Sequence, residues 1–385
     1  MPDREAKSTP PDPGSPPALP PGLIYVNDSL LPGIFRERAA AGFRYRLPDD
    51  SVLRDESEIL RIRRLAIPPA YTDVWICPLA NGHLQATGRD ARGRKQYRYH
   101  ADWNSRRNAD KFARLEAFGR TLPRVRRRVA RDLASDDGRS VTYRVVLATL
   151  VRLLDTTFVR IGNEAYAREN RSYGLTTLRN RHVVVAGTGL RLTFRGKHGI
   201  RQEVGLDDAR VVRIVRRCKQ LPGQELFQYV DNGVVRGIGS GEVNDYLSEA
   251  AGERFTAKDF RTWHGTVEAL ELTRLACSAP SDSAGGYSAQ KILAAVARRL
   301  GNTVAVCRKS YVHPEVLALG QRLASDSATT QAVWERFEGG RLPHAGLHAA
   351  ERRLLNFLAE YRKQLRQKKR QQIKASTTRP SAGVQ

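Results

Sequence analysis

The sequence is poor in cysteine: four in 385 residues, at positions 77, 218, 277 and 307, with no C-x-x-C pair. That scatter argues against a disulfide framework and suits a reducing compartment. No apolar run approaches the ~18 residues that a bilayer span needs. The start of the chain shows no signal-peptide core, so a soluble, cytoplasmic protein is expected. There is no G-x-x-x-x-G-K-[ST] run to cradle phosphates, so no nucleotide cofactor is expected. His344 and His348 have helical metal-ligand spacing, but no Glu follows the first His and Pro343 and Gly346 interrupt the helix. No metal and no other cofactor is expected. Methionine occurs once, as Met1, while Arg and Ala abound, a composition that fits a GC-rich bacterial coding sequence.

Acid is also scarce relative to base. Asp and Glu total 40 against 65 Lys and Arg, giving a net charge of +25 and a pI near 10.5. Such a charge favours a polyanionic partner, because each neutralised phosphate releases counterions. Double-stranded DNA is the first candidate; an anionic membrane surface comes second. The excess is uneven. Residues 89–131 hold 15 Lys or Arg and four Asp or Glu. Residues 362–374 hold seven Lys or Arg and no acid, which suits either extra DNA affinity or a solvated tail.

Residues 1–22 contain eight prolines and few large apolar groups, and read as a disordered leader. Strand-like segments follow at 23–27, 44–47, 74–77, 84–87 and 96–99, with a helix over 56–65 and a turn at Asn81-Gly82. They predict a sheet-containing domain over 23–105. From 106 the pattern becomes helical, over 106–118, 123–133 and 141–170, with a break inside the last run. Strand candidates at 182–185, 190–194 and 200–204, joined by glycine turns, predict a three-stranded antiparallel meander. Helices are expected over 209–219, from Ala257 after the box-like Thr256-x-x-Asp259, and over 288–300, 314–323 and 349–364. The fold class is therefore α+β: a small N-terminal antiparallel-sheet domain, then a mainly helical domain over 106–340 with a short three-stranded sheet. A C-terminal helix and basic tail occupy 341–385.

Two kinds of chemistry stand out. The segment Gly93-Arg94-Lys95-Gln96-Tyr97-Arg98-Tyr99 interleaves basic groups, an amide and aromatics. In a strand Gln96 and Arg98 share one face, and Tyr97 and Tyr99 the other. Gln and Arg suit base edges or phosphate and Tyr suits phosphate; a plain strand with a buried aromatic face has the same pattern. The second set is Arg160, Lys197, Arg261 and Tyr311. Alone, each has an ordinary explanation: a surface ion pair, a turn lysine, a helix-end ion pair, a half-buried aromatic. Together they meet the needs of phosphodiester attack by a phenol. Tyrosine is a weak nucleophile at neutral pH and needs electrostatic help. Two arginines can clamp the charge that develops on phosphorus, and a lysine can protonate the leaving alkoxide.

From about Leu23 to Leu323 the chain resembles the type IB DNA topoisomerases of the compact poxvirus and bacterial kind. The resemblance rests on Gly-Arg-Lys-Gln-Tyr-x-Tyr, Phe-Val-Arg-Ile-Gly-Asn-Glu, Gly-Lys-x-Gly, Lys-Asp-Phe-Arg-Thr and Lys-Ser-Tyr, in the family's order. It implies a monomer closing on DNA as a C-shaped clamp, and relaxation of supercoils without ATP or an essential metal. By the same resemblance Arg160 and Arg261 hold the scissile phosphate, Lys197 protonates the departing 5′ oxygen, and Tyr311 forms a 3′-phosphotyrosyl link. Arg94, Lys95, Gln96, Tyr97, Tyr99 and Tyr166 fall at DNA contacts. One position departs from the poxvirus pattern: Asn302 stands where a histidine binds a nonbridging oxygen. Its amide can donate that bond but cannot shuttle a proton. His264 is assigned packing or a DNA contact. Two alternatives are a tyrosine recombinase and a noncatalytic basic DNA-binding protein. Recombinases usually carry His-x-x-Arg where this chain has Lys258-x-x-Arg261.

Overall fold

A computed structural model describes residues 19–40, 42–91, 93–278, 286–325, 327–339 and 345–377. Most of the proline-rich leader and His344 lie outside them. The described chain divides into two compact units, one ending at Lys111 and the other beginning at Phe112.

The first unit is a five-stranded antiparallel sheet in the order β2-β1-β3-β4-β5. Its strands are β1 (Ile34–Ala39), β2 (Gly42–Arg46), β3 (Thr72–Ile76), β4 (Leu84–Arg89) and β5 (Lys95–Tyr99). Helix α1 (Glu56–Arg64) starts at Asp55, whose carboxylate accepts from the Ser57 and Glu58 amides. Ile62 of α1 joins Ile34, Val74, Ile76 and Ala86 of the sheet in one apolar cluster. Strand alternation then sends Trp75 and Cys77 to a second cluster with Val26 and Leu84. The strand expected over 23–27 is reduced to a single bridge between Ile24 and Gly82. Strand β1 was not legible, because Arg36, Glu37 and Arg38 interrupt its apolar pattern.

The boundary between the units falls inside α2 (Ala101–Ala113). The second unit is mainly helical. Helices α3 (Leu115–Ala134) and α4 (Tyr143–Thr157) pack beside α7 (Ser240–Ala251) and α8 (Ala257–Cys277). The helical break comes at Arg114, not between 118 and 123, and Pro123 lies inside α3. Local composition is helix-compatible on both sides, so burial of Phe118, Leu122 and Val125 decides the matter. Helix α4 is apolar nearly all round and buried accordingly.

The meander is present as β6 (Val183–Ala186), β7 (Gly189–Arg195) and β8 (Arg201–Asp207), in the order β6-β7-β8. Helix α5 (Glu164–Asn170) precedes it and α6 (Ala209–Cys218) follows. A hairpin of β9 (Gln228–Asp231) and β10 (Val234–Gly237) was not anticipated, nor was α7. Helices α9 (Ala289–Leu300), α10 (Val304–Ser310), α11 (Pro314–Ser325) and α12 (Ser327–Glu338) complete the C-terminal half. Finally α13 (Ala349–Thr377) packs Leu354, Leu355, Phe357 and Leu358 into the core. It extends past the expected end at 364, since Lys, Arg and Gln are good helix formers even when solvated. Among the described residues no helix is long and apolar enough to cross a membrane.

Candidate active site

Four helix ends build the site. Helix α4 stops where Phe158 adopts the left-handed conformation (φ 59°), and the turned chain delivers Arg160. The Arg160 loop is pinned by the Leu175 amide on the Arg160 carbonyl (2.9 Å) and the Thr176 amide on the Ile161 carbonyl (2.7 Å). Gly162 lets this loop form: its φ is +106°, and a Cβ there would lie 2.9 Å from the Thr176 hydroxyl. Helix α8 begins at Thr256, whose amide donates to Asp259 at 2.8 Å, so Arg261 falls in its second turn. Helix α9 ends at Gly301, also left-handed, and the Asn302 amide donates back to the Ala297 carbonyl at 2.8 Å. Helix α10 is capped at its start by Thr303 and is followed directly by Tyr311. Lys197 opens a short 3₁₀ turn between β7 and β8.

The structure brings these groups together. Arg160, Lys197, Arg261 and Tyr311 line one cavity of about 380 Å³, with Tyr166, Tyr173, Ser172, Asn163 and Lys258. Asn302 adjoins them, because Arg160 donates to its side-chain oxygen. The Arg261 guanidinium is held by two backbone carbonyls, those of Phe158 and of Leu300 (2.7 Å), and lies 5.0 Å from the centre of the Tyr311 ring. Two donors here are buried without an acceptor: Nε of Arg261 and Nδ2 of Asn302. Buried donors left open are costly, and two of them at one site have the chemistry to take an anion's oxygens as partners.

The electrostatics suit the same chemistry. Burial pushes the Tyr311 phenol up, but the charges of Arg261 and Arg160, and then of Lys258, outweigh it and bring its pKa below the ordinary value. Burial and the charge of Arg160 bring Arg261 down to about 10, still protonated at neutral pH. The Tyr311 backbone is seated on α8. Its carbonyl accepts from the Thr266 hydroxyl at 3.1 Å and passes close to Gly265, where a Cβ would meet it at 2.9 Å.

Other sequence candidates lie elsewhere. His264 is in the core, not on a surface: it is 9% exposed, and its Nε2 meets Asp155 Oδ1 at 3.0 Å. In the first unit, Arg94 and Gln96 both bind the Asp90 carboxylate (2.6 and 3.0 Å), and Lys95 pairs with Asp28 at 2.6 Å. Tyr97 is 49% exposed and stacks beside Tyr99 at 6.1 Å between ring centres. Lys258, for which the motifs predict no role in the chemistry, stands one helical turn before Arg261 and so shares its face. Tyr173 carried no local signal.

One further cluster has metal-like composition. Ligand atoms of Asp155, His264 and Glu351 lie within 4.8 Å of one another. The cation among them is the Arg126 guanidinium, at 2.8 Å from Asp155 and 2.7 Å from Glu351.

Residues 100–333 match the family described as eukaryotic DNA topoisomerase I, catalytic core, and residues 42–90 match bacterial DNA topoisomerase IB, N-terminal domain. DNA topoisomerase 1B of Acanthamoeba polyphaga mimivirus is 31% identical over 310 residues, covering 78% of this chain and 90% of that protein. DNA topoisomerase 1B of vaccinia virus (strain Copenhagen) is 25% identical over 146 residues, covering 37% of this chain and 46% of the viral one.

Proposed function

The chain belongs to the type IB DNA topoisomerases, and from that membership we propose that it relaxes supercoiled DNA through a transient covalent bond at Tyr311. The Tyr311 oxygen attacks the scissile phosphorus and its proton leaves to water. The phosphorus–O5′ bond breaks, and the departing oxygen takes a proton from Lys197. A 3′-phosphotyrosyl link and a free 5′-hydroxyl result. The free end rotates; the 5′-hydroxyl then returns its proton to Lys197 and attacks phosphorus. The bond between phosphorus and the Tyr311 oxygen breaks, and the tyrosine oxygen regains a proton from water, which restores the strand. The bond energy is conserved throughout, so ATP has no step to drive.

Arg160 and Arg261 take the charge that builds on the phosphate, a role a metal would otherwise fill. The open Nε of Arg261 and Nδ2 of Asn302 are suited to the nonbridging oxygens. Lys258 adds positive charge to the same wall. Tyr166, beside the Arg160 loop, and the exposed Tyr97 are assigned to DNA contacts. Arg94 and Lys95 are already ion-paired, so their contribution requires exchange of a carboxylate for a phosphate.

The observation that carries this reading is the convergence of Arg160, Lys197, Arg261 and Tyr311, from four separate stretches of chain, on one cavity. The test is relaxation of supercoiled plasmid in EDTA, with an SDS quench to trap the adduct. Wild type should relax the plasmid and leave a label on Tyr311, and Tyr311→Phe should do neither. Inert wild type, or full relaxation by Tyr311→Phe, would sink the idea.

A further inference from the structure

Two backbone carbonyls grip the Arg261 guanidinium, and one of them belongs to an unusual residue. The Leu300 carbonyl ends a regular helix. The Phe158 carbonyl belongs to a bulky residue in left-handed backbone (φ 59°), a conformation that neighbours must hold in place. The Phe158 ring touches two groups that can do so. The His264 ring lies 4.4 Å away, centre to centre, and the Arg299 guanidinium 4.8 Å from the ring centre.

His264 is itself fixed by a buried chain of charges. Its Nε2 meets Asp155 at 3.0 Å. Arg126 donates twice to Asp155, at 2.8 and 3.0 Å, and twice to Glu351, at 2.8 and 2.7 Å. Glu351 also accepts from Trp263 Nε1 at 3.1 Å and from the His348 amide at 2.8 Å. Every carboxylate oxygen in this chain has a donor. Four helices contribute: α3, α4, α8 and α13. Helix α13 lies beyond residue 333, where the family match ends.

Buried ion pairs are a poor way to gain stability, because desolvation offsets the attraction; a packed apolar cluster does as well or better. Their advantage is directional, since a fully satisfied network allows one arrangement. We propose that the Glu351–Arg126–Asp155–His264 chain positions Arg261, by holding Phe158 in the conformation that presents its carbonyl to the guanidinium. These are positioning residues, and helix α13 is then a working part of the catalytic unit. The inference rests on the topoisomerase reading of the site.

The test is a set of double mutants read by single-turnover adduct formation at saturating DNA. Glu351→Gln and Asp155→Asn are each made in wild type, in Arg261→Lys and in Arg160→Lys. In wild type, each should slow cleavage on the order of 10- to 100-fold, as a small misplacement of a catalytic group does, with DNA affinity unchanged. In Arg261→Lys, which lacks the planar fork whose two terminal nitrogens the carbonyls of Phe158 and Leu300 grip separately, the further loss should vanish; in Arg160→Lys it should persist in full. Equal losses in both backgrounds, as general loosening would give, overturn the proposal, and so does no loss in wild type. Thermal melts identify a variant that has not folded; His264→Gln, which keeps an amide donor for Asp155, then takes its place. Adduct formation by wild type with additive losses refutes this inference alone, whereas wild type that forms no adduct refutes the parent reading and this one with it.

Discussion

Gly265→Ala should separate chemistry from stability. Gly265 lies inside α8, where replacing glycine by alanine ordinarily favours the helix by ~0.8–1.0 kcal/mol. Here the added methyl would lie 2.9 Å from the Tyr311 carbonyl oxygen, 3.1 Å from Leu300 Cδ1 and 3.3 Å from Tyr311 Cβ. The nearest of these is backbone and cannot swing aside. Overpacking of this kind costs ~1–3 kcal/mol, so the net loss is roughly 0–2 kcal/mol and the protein stays folded. Restoring an ordinary contact of roughly 3.5 Å requires the Tyr311 backbone to retreat by about half an ångström. The Thr266 bond to that carbonyl, 3.1 Å, must lengthen with it. Since a 1 Å misplacement of a reacting group costs on the order of 10²-fold, about tenfold is expected here. The assay is single-turnover formation of the covalent adduct on a suicide duplex, beside a thermal melt. An adduct rate within twofold of wild type would refute the idea that the α8 contact sets the position of Tyr311. A collapse of the melt would show instead that the loss is one of folding.

Three other outcomes follow from the same geometry. Asn302→Ala removes an open buried donor and frees Arg160, so cleavage at saturating DNA should fall roughly 10²–10³-fold with little change in DNA affinity; a drop under threefold would remove Asn302 from the phosphate site. Tyr311 has its pKa lowered by Arg261 and Arg160, so the pH profile of cleavage should turn below the ordinary phenol value of 10.0, and Arg160→Ala should move it to more alkaline pH; an unmoved profile would mean that another group titrates. Asp155 and Glu351 both have pKa values depressed by folding, so their stabilisation is complete above the ordinary values of 3.8 and 4.5 and is lost as pH falls below them. The resistance of the chain to denaturant should therefore fall from about pH 4.5 downward, and less steeply in Glu351→Gln; equal acid slopes would remove Glu351 from the account.

The separate pieces of the site were legible because their chemistry is local. A charge of +25 names a polyanion whatever the fold. Arg160, Lys197, Arg261 and Tyr311 each sit in a short motif, and the helix that begins at Thr256 is marked by the Asp259 box. Strand alternation likewise exposed the meander of β6 to β8. Elements whose pattern is masked by charge, such as β1, or that depend on burial, such as the course of α3 through Pro123, were not readable.

Tertiary structure decided what those residues do for each other. Nothing near His264 in sequence announces Asp155, and nothing near Arg261 announces the carbonyls of Phe158 and Leu300. Those partners come from helix ends far apart in the chain, and a pattern with a period of a few residues carries no record of such contacts. The same holds for α13, whose basic end was visible as charge while Glu351 gave no sign of reaching Arg126 and Trp263. The sequence by itself determined which groups were available: a phenol, two guanidiniums, an ammonium and an amide. Only the packing of α4, α8, α9 and α10 decided their distances and left the Arg261 and Asn302 donors open, because pKa and orientation depend on what is buried beside a group, not on what precedes it.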